Sequence, residues 1–164
     1  GGPPLWIAAM SEAGALRAAR YDTNFLPQGV RSRSYDPWVD ALKSDGRNPA
    51  DYRVGVIRSI LVTDDRQTDW PAIRAAERYR MQLYQRFFEE SGEGFGDQGA
   101  PVPQTWIIGS VDECVEQILE FVAEFGITDI VSMAVPPGLR AAQMSESLER
   151  LFRDVAPRVR QALS

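Results

Sequence analysis

The chain has 164 residues, 44% of them hydrophobic, with a formal net charge of −5 and a pI near 4.8. That length suits one domain or a piece of a larger one, and the composition lies far from the disordered regime. The acidic balance argues against a nucleic-acid backbone as partner. Histidine is absent and Cys114 is the only cysteine, which excludes a Ser-His-Asp triad, a Cys-His pair, HExxH metal sites, an internal disulfide and a cysteine zinc site. The acidic residues are spread over helical patterns, so no metal site is expected. No apolar run approaches the roughly 18 residues of a membrane span, and a secretory leader before the first strand is not expected. A soluble, cytoplasmic protein without a membrane partner is the expectation.

Hydrophobic periodicity alternates strand and helix along the chain. Leu5 to Ala9 reads as a strand, followed by a helix from about Glu12 to Arg20. Thr23 to Pro27 is a second short strand, and a loop "QGVRSRS" leads to a helix near Asp36 to Lys43, stopped by Gly46. Tyr52 to Val62 reads as the longest strand, apolar on both faces as a covered parallel strand would be. Asp69 is the expected cap of a long helix opening at Trp70-Pro71, with Tyr79, Leu83 and Phe87 as its buried stripe. Ser91 to Pro103 is rich in Gly and Pro and is expected to be a mobile loop, or a lid over a site.

After "TWIIG", Ser110 and Glu113 form an S-x-x-E capping box, and Gly126 closes the helix that follows. Val111, Cys114, Val115, Ile118 and Val122 share one face of it, which makes Cys114 a core residue. Asp129 to Val135 is the fourth strand, and a last helix, Ser145 to Leu163, is expected to be interrupted or kinked at Pro157. Four strands each followed by helix imply right-handed crossovers. They suit either a doubly wound sheet or part of a (β/α)₈ barrel. The G-x-G-x-x-G turn of a dinucleotide-binding sheet is absent, the first turn reading A-A-M-S-E-A-G.

Three stretches carry a resemblance. "PPLWIAAMSEAGALRAARYDTNFLP" resembles the fifth strand, fifth helix and sixth strand of the luciferase-like monooxygenase family. "IIGSVDECVEQILEFVAEFGITDIVSM" resembles that family's G-[ST]-P-E-E-x-V helix and eighth strand, with Val111 where a proline is common. "SLERLFRDVAPRVR" is similar to its terminal helix. The resemblance implies an α/β fold that is the C-terminal half, strands five to eight, of a (β/α)₈ TIM-type barrel. It also implies a flavin- or deazaflavin-dependent oxidoreductase or monooxygenase acting on a small organic substrate, with FMN or a deazaflavin as cofactor. The chain by itself is then expected to be inactive.

By the same resemblance the cofactor phosphate falls on the turn at Ala9, Met10, Ser11 and Gly14. A helix starting at Ser11 offers free N–H groups and its positive dipole end, and Gly14 leaves room for close approach. The competing reading makes Ser11 an ordinary cap. Arg58, charged within an apolar strand, faces either a substrate cavity or a structural carboxylate. Arg31 and Arg33 sit on a loop after a strand, where barrel enzymes build sites. Asn24, Phe25 and Met133 are either flavin-facing or core. No catalytic acid or base is apparent, so the flavin or the missing half would carry the chemistry.

A start at "GGPP" without methionine is expected of a truncated or processed product. The alternative is a non-catalytic half-barrel that binds a phosphate-bearing ligand or only itself. Either way Leu5 to Ala9 and Asp129 to Val135 become sheet edges. The chain is then expected to need its N-terminal half or to self-associate as a dimer.

Overall fold

The computed structural model describes residues 2–28, 31–90, 106–132 and 135–164. They form two compact units, Gly1–Ile57 with Leu119–Val131 and Arg58–Ile118 with Ser132–Ser164. The expected loop at Ser91 to Pro103 and Met133 lie outside the described residues.

The first unit holds β1 (Trp6–Ala9), α1 (Glu12–Arg20), β2 (Asn24–Pro27), α2 (Arg31–Ser44), a 3₁₀ turn at Pro49–Asp51, β3 (Gly55–Ile57) and the strand Asp129–Val131. Trp6 pairs with Asn24 in a parallel register, and Gly55 pairs likewise with Asp129. A bridge between Phe25 and Val54 links the two pairs, so the strands run in a line with β1 and Asp129–Val131 at its ends. Parallel neighbours need crossovers, and the helices supply them. Side chains alternate across the strands. Ile7, Ala9, Phe25, Val54, Val56 and Ile130 pack with Ala15, Ala18, Trp38, Leu42 and Phe125. The ring of Trp38 lies 5.4 Å from Phe25 and 5.8 Å from Tyr52. Trp6, Ala8, Leu26, Ile57 and Val131, at the alternate positions, remain half-buried or exposed.

Helix α1 has the bounds its pattern predicts. Helix α2 does not: it starts at Arg31, so Arg31 and Arg33 lie in its first turn rather than on a loop. Gly46 does end it, with φ +73° and the Arg47 N–H returning to the Leu42 carbonyl at 2.9 Å.

The second unit begins with a correction. Tyr52 to Val62 is not one strand, because the chain changes partner at Arg58. Beyond that residue β4 (Ser59–Val62) pairs in parallel with β5 (Trp106–Gly109), the "WIIG" segment that periodicity left unassigned. Both are buried throughout. Trp70, Ile73, Trp106, Ile108, Leu61 and Met144 form the core here, and the Trp70 and Trp106 rings meet edge-on at 5.2 Å.

Helix α3 (Arg66–Glu90) starts a turn earlier than predicted. Its cap is Asp65, whose Oδ1 accepts the Thr68 N–H at 3.1 Å. Asp69 instead accepts a hydrogen bond from the Thr63 hydroxyl. The expected buried stripe is also corrected: Tyr79 and Phe87 are 57% and 63% exposed. Trp70, Ile73 and Glu77 form the buried side.

Helix α4 (Val111–Phe125) has the predicted box, the Ser110 N–H donating to Glu113 Oε2 at 2.7 Å and the Glu113 N–H to Ser110 Oγ at 3.4 Å. Gly109 leaves room for this return, since a β-carbon there would lie 2.5 Å from Glu113 Oε2. Gly126 closes the helix at φ +58°. Cys114 is fully buried, its thiol donating to the Gly109 carbonyl at 3.4 Å. The predicted break near Pro157 is a π-turn, Leu151–Val155, between α5 (Ala142–Arg150) and α6 (Ala156–Ala162). The Ala156 N–H reaches back five residues to the Leu151 carbonyl, and Pro157 has no N–H to continue the regular ladder. No described helix is long and apolar enough to cross a membrane. The described strands pair side by side and do not close a barrel.

Two outcomes follow from α4. Ser110→Ala removes the acceptor for the Glu113 N–H and is expected to cost about 1 kcal/mol in a denaturant melt. Burial pushes the Cys114 thiol up to about 11, against about 8.5 for a free thiol. Between those values the unfolded thiol ionises and the folded one does not, so stability falls as pH rises through that window. Alkylation of native protein near pH 9 should be slow in the same range, while a Cys114→Ala variant should lose this part of the alkaline decline.

Candidate functional site

The turn from β1 to α1 brings Ala9, Ser11 and Gly14 together. Ser11 leaves the strand with φ −117° and ψ 157° and caps α1, its Oγ accepting the Gly14 N–H at 3.3 Å. The Ser11 carbonyl accepts the Ala15 N–H at 3.0 Å. Ser11 keeps its hydroxyl proton to donate, and the first-turn amides of Glu12 and Ala13 precede the helix's own ladder. Met10 is 45% exposed beside them.

Gly14 is needed here for a reason the sequence does not display. A β-carbon at this position would stand 2.3 Å from Ala9 Cβ, closer than such atoms ever come. The absent side chain lets α1 rest on the end of β1, which fixes Ser11 just beyond that strand. Parallel pairing brings the carboxyl ends of β1 and β2 to one rim, Ala9 opposite Pro27. Ile57 and Val131 likewise end their pair together. Ligand crevices of open parallel sheets form at such rims.

The other candidates disperse. Arg58 sits between β3 and β4 in the second unit, half-buried. Arg31 is a clamp, its guanidinium 4.9 Å from the Tyr35 ring and 5.0 Å from the Phe125 ring, bonded to Asp36 at 2.9 Å and to the Glu124 carbonyl at 2.6 Å. Arg33 is exposed. Phe25 is fully buried against Trp38, on the helix side of its strand. Asn24 Oδ1 accepts the Arg53 N–H at 3.1 Å. Among the described residues no group of acidic residues and cysteine is placed to hold a metal ion.

One cluster escaped sequence reasoning. At the amino end of β3, Arg53 forks onto both oxygens of Asp129 and lies over the Trp6 ring, 5.4 Å from its centre. Burial pushes the Asp129 carboxyl up, but the bonds from Arg53 and Thr128 outweigh it and hold the group below the usual range. Trp6 and Leu26 lie so close over Gly55 that a β-carbon there would meet Leu26 Cδ1 at 2.5 Å and Trp6 Cζ3 at 3.2 Å. The only sequence signal was an arginine and an aspartate, each at the start of a strand.

Solved structures share this fold. The monooxygenase RslO1 from Streptomyces bottropensis aligns with a TM-score of 0.68 at 17% identity, over 95% of this chain and 48% of that one. The oxygenating constituent of 3,6-diketocamphane monooxygenase from Pseudomonas putida, in complex with FMN, aligns with a TM-score of 0.68 at 18% identity, over 96% and 49%. An F420-dependent secondary alcohol dehydrogenase, in complex with an F420-acetone adduct, aligns with a TM-score of 0.61 at 15% identity, over 97% and 49%. The chain therefore spans about half the length of these structures. No curated protein sequence matches it. The family profile described as luciferase-like monooxygenase matches residues 1–129, from the start of the chain to the first residue of the strand Asp129–Val131. With that match and the mixed α/β fold in hand, the chain belongs to the luciferase-like monooxygenase family.

Proposed function

We propose that this chain is the C-terminal half, strands five to eight, of a (β/α)₈ barrel oxidoreductase that uses a flavin or deazaflavin on a small organic substrate. The single observation that carries the reading is the Ser11 turn: a capping hydroxyl and first-turn amides at the carboxyl rim of a parallel strand, held in place by the Gly14–Ala9 contact. The donor set suits a phosphate monoester, which needs N–H and O–H donors near a positive helix end. Ser11 and the amides of Glu12 and Ala13 would hold that group. Ala9 and Gly14 would fix their position, and Met10 belongs to the same phosphate turn. The bound cofactor supplies the redox chemistry. The residues of the turn would contribute binding and orientation.

The half-length match to the solved structures supports a second part of the proposal. The half-buried side chains Trp6, Leu26 and Ile57, the exposed Val131 and the end strands of the line are where the remaining half of such a barrel would pair. A self-associating half-barrel without turnover is the competing reading, favoured by the same exposed side chains.

The phosphate role has a direct test. In the protein carrying the complete barrel, Ser11→Ala is expected to weaken FMN binding about tenfold, the loss of one charge-assisted hydrogen bond. Riboflavin, which lacks the phosphate, should bind Ser11→Ala and the parent equally. Fluorescence titration with both flavins reads the difference. Equal losses for FMN and riboflavin would return Ser11 to the role of a helix cap alone. Gly14→Val should displace α1 from Ala9 and lower both the melting temperature and FMN affinity.

A further inference from the structure

The second unit holds a cleft of about 500 Å³ at the carboxyl end of β4, a volume within the range of small-molecule sites. Its lining comes from two stretches, Leu61 to Ile73 and Leu139 to Arg150, both in this unit. Strands β4 and β5 end there together, the Thr63 N–H donating to the Gly109 carbonyl at 2.8 Å. Parallel α/β sheets take their ligands beyond such carboxyl ends. Part of the lining is apolar: Leu61 and Ile73 are buried, and Leu139 is half-buried against the same core.

The charged part is acidic. Asp64, Asp65, Asp69 and Glu146 line the cleft, with Arg150 as its cation. Arg150 is committed to Asp64 at 2.9 Å. Asp65 is spent on the first turn of α3, its Oδ1 accepting the Thr68 N–H at 3.1 Å. Asp69 gives one oxygen to the Thr63 hydroxyl, and its other oxygen has no partner among the described residues. Glu146, on α5, is in no ion pair among them either. Two carboxylates from different helices thus meet one cleft without a countercharge. A buried hydroxyl adds a contact of another kind. Ser147, 5% exposed, also lines the cleft, and its Oγ accepts the Val62 N–H at 2.8 Å. Its own hydrogen has no acceptor among the described residues. A buried donor left unspent is costly, and a ligand oxygen would satisfy it.

We propose that this cleft binds a small organic cation. A primary amine is held by Asp69 and Glu146, and its apolar body rests on Leu61, Ile73 and Leu139. An oxygen on that body accepts the Ser147 hydrogen. An ammonium group has three donors and no acceptor, which suits a pair of carboxylates. Among the described residues the carboxylates are not grouped to hold a metal ion, so the charge is that of an organic ligand. The apolar contact supplies affinity, and the few polar groups fix orientation. Every residue invoked lies in the second unit, and the inference does not rest on flavin binding at the Ser11 turn.

Tyramine carries the amine, the apolar ring and the oxygen, and serves as the probe. Calorimetric titration of the 164-residue chain with tyramine should show a single site. The analogue p-ethylphenol, the same body without the amine, should bind about tenfold more weakly. Phenethylamine, which lacks the oxygen, should bind the parent about fivefold more weakly than tyramine. Ser147→Ala should bind tyramine and phenethylamine alike. Asp69→Asn and Glu146→Gln should each weaken tyramine about fivefold and leave p-ethylphenol unchanged. Far-UV circular dichroism and melting curves check that the variants fold. Glu146 is exposed, so its variant serves if the change at Asp69 unfolds the chain. Four results would each overturn the proposal: no binding of tyramine at millimolar concentration, equal binding of tyramine and p-ethylphenol, tyramine binding unchanged in the carboxylate variants, or a preference over phenethylamine that survives in Ser147→Ala.

Discussion

Contact between α1 and β1 with no side chain between Gly14 and Ala9 is the constraint on which the first unit depends. It sets how far beyond the strand the helix begins, and so where the Ser11 hydroxyl stands. The rest of α1 keeps to the same distance: Ala15, Ala18 and Ala19 are buried and small. Space left by those alanines is filled by large residues from elsewhere, chiefly Phe25 and Trp38. Small residues on α1 against large ones from β2 and α2 keep the interior dense. A bulky residue anywhere along that helix face would move the whole crossover, including the turn at its head.

Local chemistry was legible in the sequence where both partners lie within a few residues. The Ser110–Glu113 box, the Ser11 cap, and the stops at Gly46 and Gly126 were all visible, because each is settled inside one helical turn. What depended on distant chain was not. Tyr52 to Val62 has a uniform apolar character, and nothing in it announces that β3 pairs with Asp129–Val131 while β4 pairs with Trp106–Gly109. The four-residue spacing of Tyr79, Leu83 and Phe87 named a helix face correctly but not which side it turns. Glu77, a charged residue that is 2% exposed and pairs with Arg80, disguised the buried side. At the candidate site, Ser11 could be found by its type and position. Gly14 could be suspected, but its physical reason required the location of Ala9.

The Arg53–Asp129–Trp6 cluster and the Ser11 turn occupy opposite ends of the first unit's strands. One is a closed arrangement of salt bridge and ring at the amino ends, and the other offers unspent donors at the carboxyl ends. This division matches a general property of parallel α/β architecture, in which one rim consolidates the sheet and the other hosts the ligand. It also explains why charge alone is a poor guide to the site. Arg31, which drew notice in the sequence, is spent on two rings and a carbonyl.

The π-turn at Leu151–Val155 has a consequence for the end of the chain. Met144, Ser147, Leu151 and Val155 form one buried stripe, whereas α6 contributes no buried residue. Each π-turn inserts a residue's worth of rotation into a helix, so the thread of the screw is advanced out of phase with what came before. From Val155 the regular ladder resumes, so Val159, four residues on, stays on that side and is half-buried, while Leu163 is exposed.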